Sequence, residues 1–382
     1  MTAATAPLTG RLVLGDRVAA GRVVIEGEHI VAVELDDVEA GADAESGPYI
    51  APGFVDVHVH GWGGHDAMGD RAALDGMARA LLRRGVTSFL PTAVTAPLSA
   101  LATFADRVRR WLPGAPADGA EPLGFNLEGP FLAEARRGAH DPAHLRLPAD
   151  VSLDELEPLV GGLRVVTIAP ELRGAIELIA WLAERGIVSS IGHSAATVDE
   201  ARAGLAAGAT STTHLFNAMT GIDHRAPGLA VAALLDDPTW VELIADGIHV
   251  DPALWPLIVR LKPRDRLLLV SDAIALAGTG NGRGRIGGLD VEVTGGRVTL
   301  SGTGTLAGSV LSLDVAVRNL VGSGIPLVAA VAAASANPLA LLGLSDRGRI
   351  APGQRADLVE LDAEFRVRRV MRGGTWHAGG AG

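Results

Sequence analysis

A chain of 382 residues, 48% hydrophobic but only 4% aromatic, must build its core from Ala, Val, Leu and Ile, and it is long enough for one large domain and a small one. The net charge of −11 argues against a nucleic-acid groove, and the lack of cysteine excludes disulfides and thiolate metal sites. No apolar run reaches the length of a membrane span, and the amino terminus lacks a basic stretch followed by an apolar one, so a cytoplasmic protein with no membrane or nucleic-acid partner is expected.

In chain order, residues 8–35 read as short β segments (Leu12–Leu14, Arg22–Glu26, Ile30–Val33) punctuated by Gly10, Gly15, Gly21 and Gly27. The tail reads likewise at 356–361 and 366–371. Between them, strand-like apolar runs recur at 54–58, 88–91, 123–127, 165–168, 187–191, 210–214, 241–245 and 267–270. Helical periodicity separates most of them, as at 74–83, 175–184, 198–206 and 252–261. The pattern predicts an α/β protein: a (β/α)8 TIM-type barrel over residues 51–345, with a small β-sandwich domain formed from both chain termini, 1–50 and 346–382. A doubly wound open sheet would want a Gly-rich phosphate turn after an early strand, and none is there. A β-hairpin-like insertion at 286–300 and a Pro/Gly-rich surface connection at 113–122 interrupt the alternation.

The ends of the strands carry the chemistry. His58 and His60 lie two apart on the first strand and so share a face. Glu128 ends the third strand, His193 follows the fifth, His214 ends the sixth, and Asp272 follows the eighth. An H, H, E, H, H, D set at one face of a parallel barrel suits zinc or another divalent transition ion. Taken singly, each has a plain alternative, such as a histidine satisfied by backbone or a carboxylate in solvent. His29, His144, His224 and His377 fall in loops or sheet edges with no partner motif, and His65 is near the first motif without being tied to it. Of 33 basic residues only Lys262 is lysine.

The segments PGFVDVHVHG (52–61), LEGPF (127–131), GHS (192–194), THLFNAM (213–219), DGIH (246–249), SDA (271–273) and PGQRADLV (352–359) resemble the amidohydrolase superfamily. More narrowly, LEGPF followed by Gly138-Ala139-His140, and THLFNAM followed by Arg225, resemble the N-acetylglucosamine-6-phosphate deacetylases. Relatives that bridge two metals with a carboxylated lysine are a poor match, because Lys262 is placed at a helix end before Pro263, on the far side of the barrel. The resemblance implies that Glu128, His193 and His214 hold a divalent metal, with zinc expected, and that Asp272 is general base and acid. It implies His140 as a hydrogen-bond donor to the substrate, although an Arg-rich loop would also leave that histidine exposed. His58 and His60 imply either a second metal or support of the first. For the substrate, it implies Arg225 at the phosphate, with Asn217, Ala218, His249, Ala139, Leu306, Ala307 and Gly308 as further contacts. Without the motif, Arg225 would read as a solvated charge. A homodimer is expected by the same resemblance. The alternatives are an amidohydrolase acting on an N-acyl amino acid or a related amino-sugar phosphate, and a non-catalytic barrel serving as a scaffold.

Overall fold

The computed structural model describes residues 7–36 and 47–380; residues 1–6, 37–46 and 381–382 of the expected terminal segments lie outside the described residues. Eight parallel strands follow one another in chain order. They are β1 (Phe54–Val59), β2 (Val86–Val94), β3 (Phe125–Glu128), β4 (Leu163–Ile168), β5 (Val188–Ile191), β6 (Ser211–Thr212), β7 (Trp240–Leu243) and β8 (Leu267–Leu269). The circle closes just beyond β8, where the Asp272 N–H donates to the His58 carbonyl (2.9 Å) and the His60 N–H to the Ala273 carbonyl (2.8 Å). Every residue of β1 and β2 is buried, because one face lines the barrel and the other is covered by helices. That is the (β/α)8 barrel expected.

The helices begin where their caps dictate. Asp70 accepts from the Ala73 N–H to open Arg71–Leu82, which turns Leu74, Met77, Ala78, Leu81 and Leu82 inward. Thr197 and Glu200 form a reciprocal capping box at the start of Val198–Ala206. The expected helix at 252–261 opens instead as a 3-10 turn, Pro252–Leu254, before Trp255–Leu261. Pro256 has no N–H to give to the preceding turn.

The termini form one seven-stranded sheet in the order Thr375–Ala378, Val367–Arg372, Leu358–Leu361, Tyr49–Pro52, Leu8–Val13, Val18–Glu26, His29–Leu35. Its far edge curls back: the Ile30 N–H donates to the Gln354 carbonyl (2.9 Å) and the Gly353 N–H to the Ile30 carbonyl (2.8 Å). The curl encloses a separate core containing Leu12, Val23, Ile25, Ile30, Ile50, Leu358 and Met371. The two layers of the expected sandwich are therefore parts of one continuous sheet.

Two connections differ from expectation. The insertion is a three-stranded meander, Gly282–Ile286, Leu289–Thr294 and Arg297–Leu300, over its own small core of Val291, Val293 and Val298. Its first strand, GRGRI, is an almost wholly solvated edge and so has no apolar alternation to read. Within the 113–122 connection, Glu121–Pro122 pairs in parallel with β2 instead of running free over the surface.

Candidate metal centre and substrate cavity

The side chains singled out in the sequence meet at the carboxyl ends of the strands. Three of them sit on strained backbone: φ is +46° at His193, +26° at His214 and +49° at Asp272. Phe216 and Ala218, in the loop after β6, share that conformation (φ 75° and 49°). Left-handed backbone at residues other than glycine costs on the order of 1–3 kcal/mol each. Here the twist follows directly on the strand ends, with the three side chains facing the barrel axis. Gly308 passes so close to Asp272 that a Cβ there would lie 2.9 Å from the Asp272 carbonyl oxygen and 2.7 Å from Ile274 Cγ2, and its φ is +70°.

Acceptors behind the rings set the histidine tautomers. Carbonyl and carboxylate oxygens only accept, so Nδ1 is the donor in His58 (to Glu242 Oε2, 3.1 Å), His60 (to the Thr92 carbonyl, 3.1 Å) and His193 (to the Arg136 carbonyl, 2.8 Å). Each neutral ring then presents a bare Nε2 to the barrel axis. His60 Nε2 lies 3.2 Å from Glu128 Oε2 and 3.1 Å from Asp272 Oδ1. His193 Nε2 is 3.0 Å from Glu128 Oε1 and 3.1 Å from His214 Nε2, which is itself 2.9 Å from the same oxygen. His58 Nε2, 3.5 Å from Glu128 Oε1 and 3.7 Å from Asp272 Oδ1, is buried without a hydrogen-bond partner among the described residues. Lone pairs facing carboxylates at these distances repel unless positive charge stands between them. The donor set therefore fits divalent cations, in two overlapping groups: His58, His60, Glu128 and Asp272, and Glu128, His140 and His193.

In the protein alone, protons supply that charge. Burial lowers His60, but hydrogen bonds to Asp272 and Glu128 outweigh it and raise the ring to about 9. His58 is likewise pushed well above its usual value, burial being outweighed by the charges of Glu128 and Glu242. His193 falls to about 4, driven first by burial. Burial would raise Glu128 and Asp272, yet both carboxyls end below their ordinary range: His140 and His58 hold Glu128 down, and His60 and His58 hold Asp272.

Above this centre lies a cavity of about 350 Å³, within the roughly 300–1,000 Å³ typical of small-molecule sites. Of the expected residues, His60, Glu128, Ala139, His140, His193, His214, Asn217, Ala218, His249, Asp272, Leu306 and Gly308 line it. His58 is buried beneath, and Ala307 turns into the core under the meander. Arg225 does not line it; it is exposed on the loop before Leu229–Leu235, its own N–H bonded to Asp223 Oδ1 (2.8 Å). His140 is buried, not exposed. Its Nδ1 lies 2.9 Å from Thr95 Oγ1, whose hydroxyl donates to the Glu128 carbonyl (3.2 Å), and its Nε2 lies 3.2 Å from Glu128 Oε2. The ring of His249 donates from Nδ1 to Asp246 Oδ2 (2.7 Å), leaving Nε2 to the cavity. Lys262 donates to the carbonyls of Ala233 and Asp236, remote from the metal centre.

Sequence reasoning missed Glu242, Asp56, Thr95 and the carbonyl of Arg136. Asp56 accepts from the N–H groups of His58 (3.2 Å) and Ser271 (3.3 Å), and its carboxyl is raised by burial to about 6. Glu242 had a readable signal, an acid inside the apolar strand WVEL.

Residues 49–377 match the amidohydrolase family. The chain is 40% identical over 352 residues to the N-acetylgalactosamine-6-phosphate deacetylase of Escherichia coli O157:H7, covering 89% of this chain and 90% of that protein. It is 38% identical to the human N-acetylglucosamine-6-phosphate deacetylase, covering 97% and 94%. Among solved structures, a mutant N-acetyl-D-glucosamine-6-phosphate deacetylase from Mycobacterium smegmatis in complex with N-acetyl-D-glucosamine-6-phosphate superposes with a TM-score of 0.88 at 38% identity, over 97% of this chain and 98% of that one. The Thermotoga maritima N-acetylglucosamine-6-phosphate deacetylase gives 0.88 at 35%, over 96% and 98%. With the histidine and carboxylate set at the barrel mouth, a family match over most of the chain and relatives of this identity, the chain belongs to the amidohydrolase family.

Proposed function

We propose that the protein hydrolyses N-acetyl-D-glucosamine 6-phosphate to D-glucosamine 6-phosphate and acetate, with residues 51–345 as the catalytic unit and the terminal segments 1–50 and 346–382 as the flanking domain. The observation that carries this is the convergence of five histidine Nε2 atoms on Glu128, two of them also facing Asp272, at the floor of a cavity walled by Ala139, Asn217, His249 and Leu306. Glu128, His193 and His214 would hold one divalent ion, zinc by the nature of the donors, and His58 and His60 a second shared through Glu128. When bound, such an ion polarises the amide carbonyl and lowers the pKa of a water. Asp272, ionised at neutral pH, takes the proton of the attacking water and returns it to the departing amine. His140, buried beside Glu128, donates to the oxygen that gains charge.

Asn217, Ala218, His249 and the 306–308 segment orient the sugar. Arg225 is exposed and outside its own cavity, which suits a homodimer in which this loop completes a partner's phosphate site. A phosphorylated sugar does not cross membranes unaided, which suits a cytoplasmic enzyme; no helix among the described residues is long and apolar enough to span one. Similarity to an N-acetylgalactosamine-6-phosphate deacetylase supports a second reading, the C4 epimer as substrate. The test is acetate release from the two epimers and from unphosphorylated N-acetylglucosamine. Turnover that requires the phosphate is expected; indifference to the phosphate would sink both readings, and a strong preference for the galacto epimer would select the second.

A further inference from the structure

Glu242 takes no part in the mechanism above, yet it is completely buried in the middle of β7. Alternation along the strand turns it into the barrel. One oxygen, Oε2, accepts both from Nδ1 of His58 (3.1 Å) and from the backbone N–H of His214 (3.1 Å). The other, Oε1, is buried without a hydrogen-bond partner among the described residues. A half-satisfied buried carboxylate is costly, and an apolar side chain of similar size would fill the space without that cost.

The histidines differ in what stands behind them. His60 and His193 lean on neutral carbonyls, whereas His58 leans on a carboxylate. A carboxylate behind an imidazole fixes the tautomer and makes the far nitrogen a stronger donor to a cation. Charge balance points the same way. Glu128 and Asp272 together match one divalent ion, and a second ion in the same buried space calls for more negative charge. We infer that Glu242 is a positioning residue for a second metal ion: it locks His58 with Nε2 aimed at Glu128 and Asp272, and through the same oxygen it ties β1 to the His214 turn. This rests on the metal-dependent reading proposed above.

The experiment is a titration of the full-length, chelator-stripped protein with Zn²⁺ against a competing chromophoric chelator, for wild type, Glu242→Gln and Glu242→Leu, with thermal melts of the stripped proteins. Wild type should take up two ions in two steps. In Glu242→Leu the weaker step should lose roughly 10- to 100-fold in affinity, and the tighter step, where only the backbone N–H of His214 loses its acceptor, should lose clearly less. Glu242→Gln keeps an acceptor for the His58 N–H but loses the charge, so an intermediate loss at the same step is expected. That isosteric variant decides the matter if Glu242→Leu does not fold. Two ions bound with wild-type affinities by the variants would overturn the inference. So would a parallel loss of both steps with a lowered melting temperature, which a merely structural glutamate would give. One ion in wild type overturns the inference and leaves the hydrolase reading standing; no ion at all overturns both.

Discussion

At Asp272, the Oδ1 atom lies 3.1 Å from His60 Nε2, and the strained turn that holds it is braced by Gly308. Asp272→Asn keeps the volume and a hydrogen-bond acceptor but cannot take up the water's proton. Steady-state kinetics should show kcat lower by roughly 10²- to 10⁴-fold, the range for losing a general acid–base, while calorimetry shows sugar-phosphate binding retained and elemental analysis an unchanged metal content. A near-normal kcat would remove Asp272 from its role. The histidines and carboxylates named from sequence at the strand ends share one trait: each is a polar group at or just past the end of an apolar run. Glu242 lies inside its strand: an acid in an apolar run was readable there, but its partner His58, 184 residues away along the chain, was not.

At the scale of elements, local chemistry was the most readable. The helix Val198–Ala206 connects the two histidine-bearing turns after β5 and β6, and its start rests on the Thr197–Glu200 box. Thr197→Ala leaves the Glu200 N–H without its capping acceptor. A loss of about 1 kcal/mol in urea unfolding is expected, largely restored in Thr197→Ser, with kcat unchanged. A drop in kcat would mean that the helix tunes the histidine positions. Strand lengths were less readable. β6 is only Ser211–Thr212, and hydroxyls at the centre of the barrel, with Thr213 bonded to Ser190 (2.7 Å) and Thr167 (2.9 Å), replace the apolar pattern that marks a strand.

The whole molecule is tied together by an ion-pair cluster on the side away from the active site. Glu121, paired to β2, meets Arg347 (2.9 Å), Arg355 and Arg372 (3.6 Å), joining the barrel to the terminal sheet. Burial raises its carboxyl, but hydrogen bonds and charge from Arg355 and Arg347 hold it below the ordinary value. With the folded pKa depressed, the unfolded chain binds the extra proton in acid. The stabilisation is therefore full above the unfolded pKa of about 4.5 and lost as pH falls through the folded one. Glu121→Gln should cost about 1–3 kcal/mol at pH 7, allowing for its partial exposure, and the gap to wild type should close in acid, as followed by denaturant melts across pH. A gap that stays constant with pH would mean that the cluster contributes through packing alone. From sequence, Glu121 lay in a Pro/Gly-rich stretch with no periodicity, and nothing local distinguished it from a surface acid.

By itself the sequence determined the alternation of strands and helices, the barrel and the set of donors at its mouth. Those depend on periodicity and on position along each strand, which are local properties of the chain. Only the tertiary structure decided which nitrogen of each histidine faces the axis, that Glu242 stands behind His58, that the terminal strands close into one curled sheet, and that Arg225 lies outside its own cavity. Each of these depends on contacts between segments far apart in the chain, whose meeting no local pattern encodes.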